Sequence, residues 1–392
     1  MKRYLILVAC MVMLVCLGTG QAWSAFAGPL KKEFGLSAFE SQFIFNTITL
    51  LFCTTFVVGG RLHDRFGPRP LAVAGAALVG GAWFLASWLG ASYFWLWLSL
   101  GILGGTGAAL GYVSPIATAV KWFPNRRGLI SGFAAAGFAA GPIVTSLLVE
   151  MLVARGWRIL DIFRFIGATY APVILVTGLC LSTPPQAEGE PGVAEANAFR
   201  RRALLRDPRF WALFAGMLCG TLPYLVVMGS VKEMAVAFSL GKAALYCIGV
   251  MAAGNAAGRI FWGFTTDRIG TRRSMLSALT LLAGLVLALM LFGWMHPAVF
   301  LVAGFGIGFC YGSNFAIYPS AVSHLYGTHV LGTVYPLIMV AQGASSFFPS
   351  LNGLLVDVSG SYLPGLGIAF LAALAGIIVC AGLSRGLHHK RT

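Results

Sequence analysis

Charge is what this chain has least of. Only 10% of its 392 residues are Asp, Glu, Lys or Arg, while 58% are hydrophobic, and the mean hydropathy is +0.84. A water-soluble domain carries roughly 25% charged residues, so this chain cannot cover a core with solvated side chains. Acids are scarcest, twelve against 27 Lys and Arg, and all of them map to polar stretches or the edges of apolar ones. Paired buried carboxylates for acid–base hydrolysis are therefore missing. So are a phosphate-cradling GxxxxGK[ST] loop, a GxSxG elbow and an HExxH helix. The eight cysteines sit inside apolar stretches without CxxC spacing, which excludes a zinc knuckle or a disulfide framework. These absences argue against an enzyme, and no metal or cofactor is expected.

Long apolar runs are abundant. They fall at about 4–28, 41–60, 71–90, 94–120, 128–153, 163–182, 209–231, 243–264, 275–295, 298–322, 332–356 and 361–383. Each is near the ~20 residues that cross a bilayer as helix, which predicts an all-α membrane protein of twelve transmembrane helices. The first run, behind Lys2 and Arg3, imitates a secretory signal. It reads as a retained helix, because a cut near Trp23-Ser24-Ala25 would leave an odd number of spans. A polar stretch at 183–208, with Pro184-Pro185 and Arg200-Arg201-Arg202, divides two bundles of six, residues 1–182 and 209–392.

The net charge of +15 would suggest nucleic acid as a partner of a soluble protein, but here the basic residues cluster between apolar runs. Nineteen Lys or Arg fall on the side of the termini and seven on the other. By the positive-inside rule both termini are cytoplasmic, in an inner membrane, with lipid and not nucleic acid as the surroundings. A monomer is expected.

The two halves repeat. Gly60-Arg61-Leu62-His63-Asp64-Arg65-Phe66-Gly67-Pro68-Arg69 aligns without a gap on Gly263-Phe264-Thr265-Thr266-Asp267-Arg268-Ile269-Gly270-Thr271-Arg272, 203 residues on. Shifted by one, Pro115 matches Pro319 and Gly128 matches Gly332. Parallel repeats of this kind place a substrate site at the midplane between the halves. The Asp-Arg-x-Gly-x-Arg loops resemble the signature of the major facilitator superfamily. The resemblance covers the whole chain and implies that family's fold, two pseudo-symmetric six-helix bundles. It also implies gating roles for Asp64, Arg65, Arg69, Asp267, Arg268 and Arg272, with Arg65 and Arg268 expected to bridge to opposing carbonyls. Gly137-x3-Gly141-Pro142 allows close packing of the fifth helix.

One charge breaks the loop pattern. Arg259 lies eight residues before Asp267, about 12 Å inside the membrane edge at 1.5 Å per residue. An Arg at that depth costs roughly 2.5–3.5 kcal/mol and needs a partner or a wet cavity. No Asp or Glu is at hand, so a substrate anion is the expected partner, and guanidinium suits a carboxylate. The alternative is snorkelling, or bonding to backbone carbonyls. Asn255 lies one turn away on the same face. Tyr112, Asn314 and Gln342 come out at similar depth and Tyr311 one turn deeper, while Phe138, the repeat mate of Gln342, offers an apolar wall. For each of these, helix–helix packing competes with substrate contact.

Ala22-Trp23-Ser24-Ala25-Phe26 with Pro29-Leu30-Lys31-Lys32-Glu33-Phe34-Gly35-Leu36-Ser37, and Asn255-x3-Arg259 with Phe261-Trp262-Gly263, resemble the oxalate/formate antiporter and monocarboxylate transporter group. There the matching Arg binds substrate carboxylate. Animal members carry Asp where this chain has Asn255, and oxalate exchangers carry Lys where it has Gln342. The resemblance implies transport of a small monocarboxylate such as lactate or pyruvate, coupled to protons, with electroneutral anion exchange as the alternative.

Overall fold

The computed structural model describes residues 2–89, 92–123, 127–182, 204–327 and 330–382. Most of the 183–208 linker lies outside them, as does the side chain of Asp64. Among the described residues twelve helical segments run through the protein. The second, third, fifth and sixth are Ala38–Phe66, Pro68–Leu89, Arg127–Ala154 and Ile159–Cys180. The seventh, eighth, ninth and twelfth are Pro208–Ala237, Ala243–Ile269, Thr271–Phe292 and Leu363–Gly382.

The other four are interrupted. The first runs Lys2–Leu17 and Trp23–Phe34 around a 3₁₀ stretch, Gly18–Ala22. The fourth holds a π stretch, Trp97–Gly104, between Tyr93–Leu96 and Gly105–Trp122. The tenth joins Pro297–Gly312 to Ile317–Tyr326 through a 3₁₀ turn, Ser313–Phe315. The eleventh stops at Ser345 and restarts at Phe347. Among the described residues, eleven helical runs are long and apolar enough to cross a membrane. The eleventh, read as one run at 332–356, reaches the same span only as two halves.

Local chemistry explains the ends. Ser37 and Glu40 form a reciprocal capping box at the second span, at 3.1 and 2.9 Å. The motif loops are one-residue turns: Gly67 (φ 79°) and Gly270 (φ 82°) alone separate the helices they join, in a conformation that favours glycine. Arg69 donates from Nε to the Leu181 carbonyl (2.8 Å), and its repeat mate Arg272 donates to the Ala381 carbonyl (3.3 Å). Each motif thus caps the end of the last helix of its own bundle, where carbonyls lack helical partners. The carbonyl bond expected of Arg65 and Arg268 falls to these two arginines instead. Arg65 and Arg268 lie over the rings of Phe66 and Phe264, at 5.2 and 4.0 Å.

Close backbone approach orders each bundle. A Cβ on Gly141 would lie 2.8 Å from the Gly18 Cα, so the fifth span packs on the first at its 3₁₀ break. In the second bundle Gly254 and Gly258 face the backbone of Phe305 and Phe309, while Gly308 and Gly312 face Met251 and Asn255. This two-sided small-residue contact presses the eighth span on the tenth. Burial follows position: 67% of the apolar window is buried in the seventh span, but 33% in the sixth and twelfth, which turn the rest outward to lipid.

The bundles are tied together at the face opposite the motif loops. Asp357 accepts from the Ala38 and Phe39 amides, at 3.0 and 2.9 Å. Lys31 pairs with Glu233 (3.1 Å) and Lys232 with Glu150. Gln42 donates to the Gly229 carbonyl (2.7 Å), and Ser346, at the break of the eleventh span, donates to Asn46 Oδ1 (2.6 Å). The fold is closed on that side.

Candidate substrate site

A small cavity lies between the bundles, and its two walls differ in kind. The second bundle supplies the polar wall. Arg259 is 7% exposed, and its Nε donates to Asn255 Oδ1 (3.1 Å) one turn back on the same helix. Its guanidinium carbon stands 3.9 Å from the Phe315 ring centroid, a cation–π contact. Nη1 is buried without a hydrogen-bond partner. The side chain therefore neither snorkels nor spends itself on backbone carbonyls, and among the described residues no carboxylate pairs with it. Gln342 donates from Nε2 to the Tyr311 hydroxyl (2.8 Å), and its Oε1 is buried and unpartnered. Tyr311 stacks face to face on Tyr224, with centroids 3.7 Å apart and planes 1° from parallel.

The first bundle supplies rings. Tyr112 meets Phe138 edge-on at 4.9 Å and Phe52 at 5.3 Å, and Phe52 stacks on Phe138 at 5.6 Å. Such mutual packing holds the three as one apolar surface. Its polar groups are the Tyr112 hydroxyl and Gln21, from the 3₁₀ stretch of the first span, whose Oε1 is also unpartnered.

Six of the seven residues expected at the site, Arg259, Asn255, Tyr112, Tyr311, Gln342 and Phe138, line this one cavity. Asn314 does not. It donates to Thr221 (2.9 Å) and lines a separate small cavity inside the second bundle, with Tyr318 and Met275. Sequence reasoning passed over Gln21, Phe52, Tyr224 and Phe315. Two of them, Gln21 and Phe315, come from 3₁₀ interruptions, which swing side chains off the helical phase a depth ruler assumes. Gly18-Thr19-Gly20 before Gln21 was the available signal.

A family model described as Major Facilitator Superfamily matches residues 8–350. The chain belongs to that superfamily. Within it, the chain is 28% identical to the oxalate:formate antiporter of Oxalobacter formigenes, over 86% of this chain and 81% of that one. It is 27% identical to monocarboxylate transporter 13 of Bos taurus, over 82% and 75%. A solved bacterial homolog of the human lysosomal transporter Spinster, inward-facing and unoccupied, superposes with a TM-score of 0.75 at 16% identity, over 97% of this chain and 96% of that one. That likeness establishes the fold. The chain is thus a multi-pass membrane transporter of this superfamily and not an enzyme.

Proposed function

We propose that this facilitator is a secondary active transporter of a small monocarboxylate, lactate- or pyruvate-like, moved together with a proton by alternating access of the two bundles. The observation that carries the reading is Arg259, a buried cation held by an amide and a ring, with Nη1 left over at the cavity wall. Guanidinium stays charged at any physiological pH, and an oxyanion is the partner that neutralises it. One such cation suits one carboxylate. The names of the two relatives support small organic anions as the class. The loop charge asymmetry supports an inner membrane with both termini cytoplasmic and the motif loops facing inward. On this reading Asp64, Arg65, Arg69, Asp267, Arg268 and Arg272 act on the inner gate.

Among the described residues no Asp or Glu lines the cavity, so on this reading no cavity carboxylate carries the proton; the substrate carboxylate takes it up as it leaves Arg259, whose guanidinium turns to local dipoles in exchange. The same observation favours a second reading, electroneutral anion exchange, which needs no proton carrier. Uptake of labelled lactate into proteoliposomes separates the two. Symport gives accumulation under an imposed pH gradient with empty vesicles, whereas exchange requires preloaded anion. Arg259→Ala abolishes uptake in either case, and normal kinetics in a well-expressed Arg259→Ala protein would refute the anchor.

A further inference from the structure

The monocarboxylate reading leaves open what else the substrate carries, and the buried polar atoms of the cavity bear on it. Arg259 Nη1 is a donor without an acceptor. Gln342 Oε1, on a side chain 2% exposed, is an acceptor without a donor, and Gln21 Oε1 is a second. The Gln342 amide is oriented by its own hydrogen bond, Nε2 to the Tyr311 hydroxyl, which turns Oε1 away from that contact. Tyr311 is held in turn by the stack on Tyr224. Leaving a buried acceptor unpaired costs its full desolvation, so such atoms mark where a ligand completes the set.

A bare carboxylate satisfies Arg259 and neither glutamine. A 2-oxo acid adds another acceptor, which leaves both glutamine oxygens unpaired. A hydroxyl group donates. Resting on the reading of Arg259 above, we propose that the substrate is a hydroxy monocarboxylate. Its carboxylate meets Arg259, its hydroxyl donates to Gln342 Oε1 with Gln21 Oε1 as the alternative acceptor on the facing bundle, and its carbon skeleton lies on the Phe52–Tyr112–Phe138 surface. Gln342 is then the specificity residue: it distinguishes hydroxy from oxo acids of the same length, which Arg259 and the rings cannot.

The test uses the full chain in proteoliposomes, with binding read by tryptophan fluorescence and transport by competition against labelled lactate. Three matched series serve as probes: lactate and 2-hydroxybutyrate, pyruvate and 2-oxobutyrate, propionate and butyrate. The hydroxy acids are expected to bind on the order of tenfold more tightly than their oxo and unsubstituted partners, the effect of one well-placed hydrogen bond. Gln342→Met, similar in volume but without the acceptor, brings that ratio down towards one, and Gln21→Met lowers it less. Equal affinities across the series in the wild type overturn this inference and leave the monocarboxylate reading standing. So does a preference for oxo acids, the pattern of an amide turned the other way round. Failure of every acid to bind overturns the monocarboxylate reading and this inference with it. The wild-type ratio decides the matter even if the Gln342 variant fails to fold.

Discussion

The carboxylate of Asp357 accepts the backbone amide of Ala38 at 3.0 Å, across the boundary between the bundles. A second oxygen takes Phe39, so a residue of the eleventh span caps the N-terminus of the second. The charge lies at the positive end of that helix dipole. Asp357→Asn should disfavour the state closed at this face by about 0.5–1 kcal/mol, and Asp357→Ala by about 1–2 kcal/mol. Distances between spin labels on the far ends of the second and eleventh spans would shift towards open, with substrate affinity little changed. An unaltered distance distribution would count against the cap.

The remaining acids separate by where they sit. Glu150 and Glu233 pair across the boundary with Lys232 and Lys31, and neutralising either leaves a half-buried lysine alone. Glu150→Gln and Glu233→Gln should each weaken closure by about 1–2 kcal/mol, between the surface and buried cases. Glu40 caps its own helix and Asp161 pairs locally with Arg164 at 3.8 Å, so their amides should behave nearly as wild type. Accumulation under a pH gradient is the measurement. A variant that exchanges substrate normally yet cannot accumulate it identifies that acid as the proton carrier, against a proton borne by the substrate.

Phe315 holds the Arg259 guanidinium by its ring face. Phe315→Leu keeps the apolar volume but removes the quadrupole, and should cost about 1 kcal/mol of substrate binding, roughly a fivefold rise in Kd. Phe315→Tyr should stay close to wild type. Titration of both variants with the same carboxylate checks this.

How far the site could be read in the sequence divides along these residues. Arg259 was legible because an unpaired charge inside an apolar run has few explanations, and Asn255 followed from helical spacing. The motif repeat made the two bundles legible. Phe315 and Gln21 were not, since each sits on a 3₁₀ turn where the phase of the helix is lost. The Tyr224–Tyr311 stack joins spans that are distant in sequence, and no local pattern announces it. Asn314 shows the same limit from the other side: its depth is right, but its side chain turns into its own bundle towards Thr221.

Gly312 packs so closely on the eighth span that a Cβ there would lie 2.8 Å from the backbone nitrogen of Arg259. Gly312→Ala should force the two helices apart, destabilise the protein by about 1–3 kcal/mol, and displace Arg259 enough to lower affinity. Gly284, in the ninth span, has open space at the same test position. Gly284→Ala should be neutral or stabilising by up to about 1 kcal/mol. Thermal unfolding in detergent, with and without substrate, reads both variants.

Asp267 lies in the last turn of the eighth span and does not line the cavity, and Asp267→Asn should slow turnover while leaving equilibrium binding nearly intact. Asp64→Asn should behave alike. Single-turnover and steady-state uptake together with a binding titration test the pair, and a large loss of affinity in either variant would move these aspartates into the binding site.

The unequal walls of the cavity have a mechanical consequence. Apart from Gln21 and the Tyr112 hydroxyl, the first bundle meets the cavity with ring faces and edges and with small apolar residues. A dispersion contact has no direction to lose, whereas a hydrogen bond breaks when its donor and acceptor slide past each other by an ångström or two. Cargo seated on Arg259 would therefore ride with the second bundle as a fixed passenger, while the ring wall glides over it with little friction. The work of switching then falls on the ties at the far face, so those few hydrogen bonds and ion pairs, more than the hold on the cargo, would set how fast the transporter turns over.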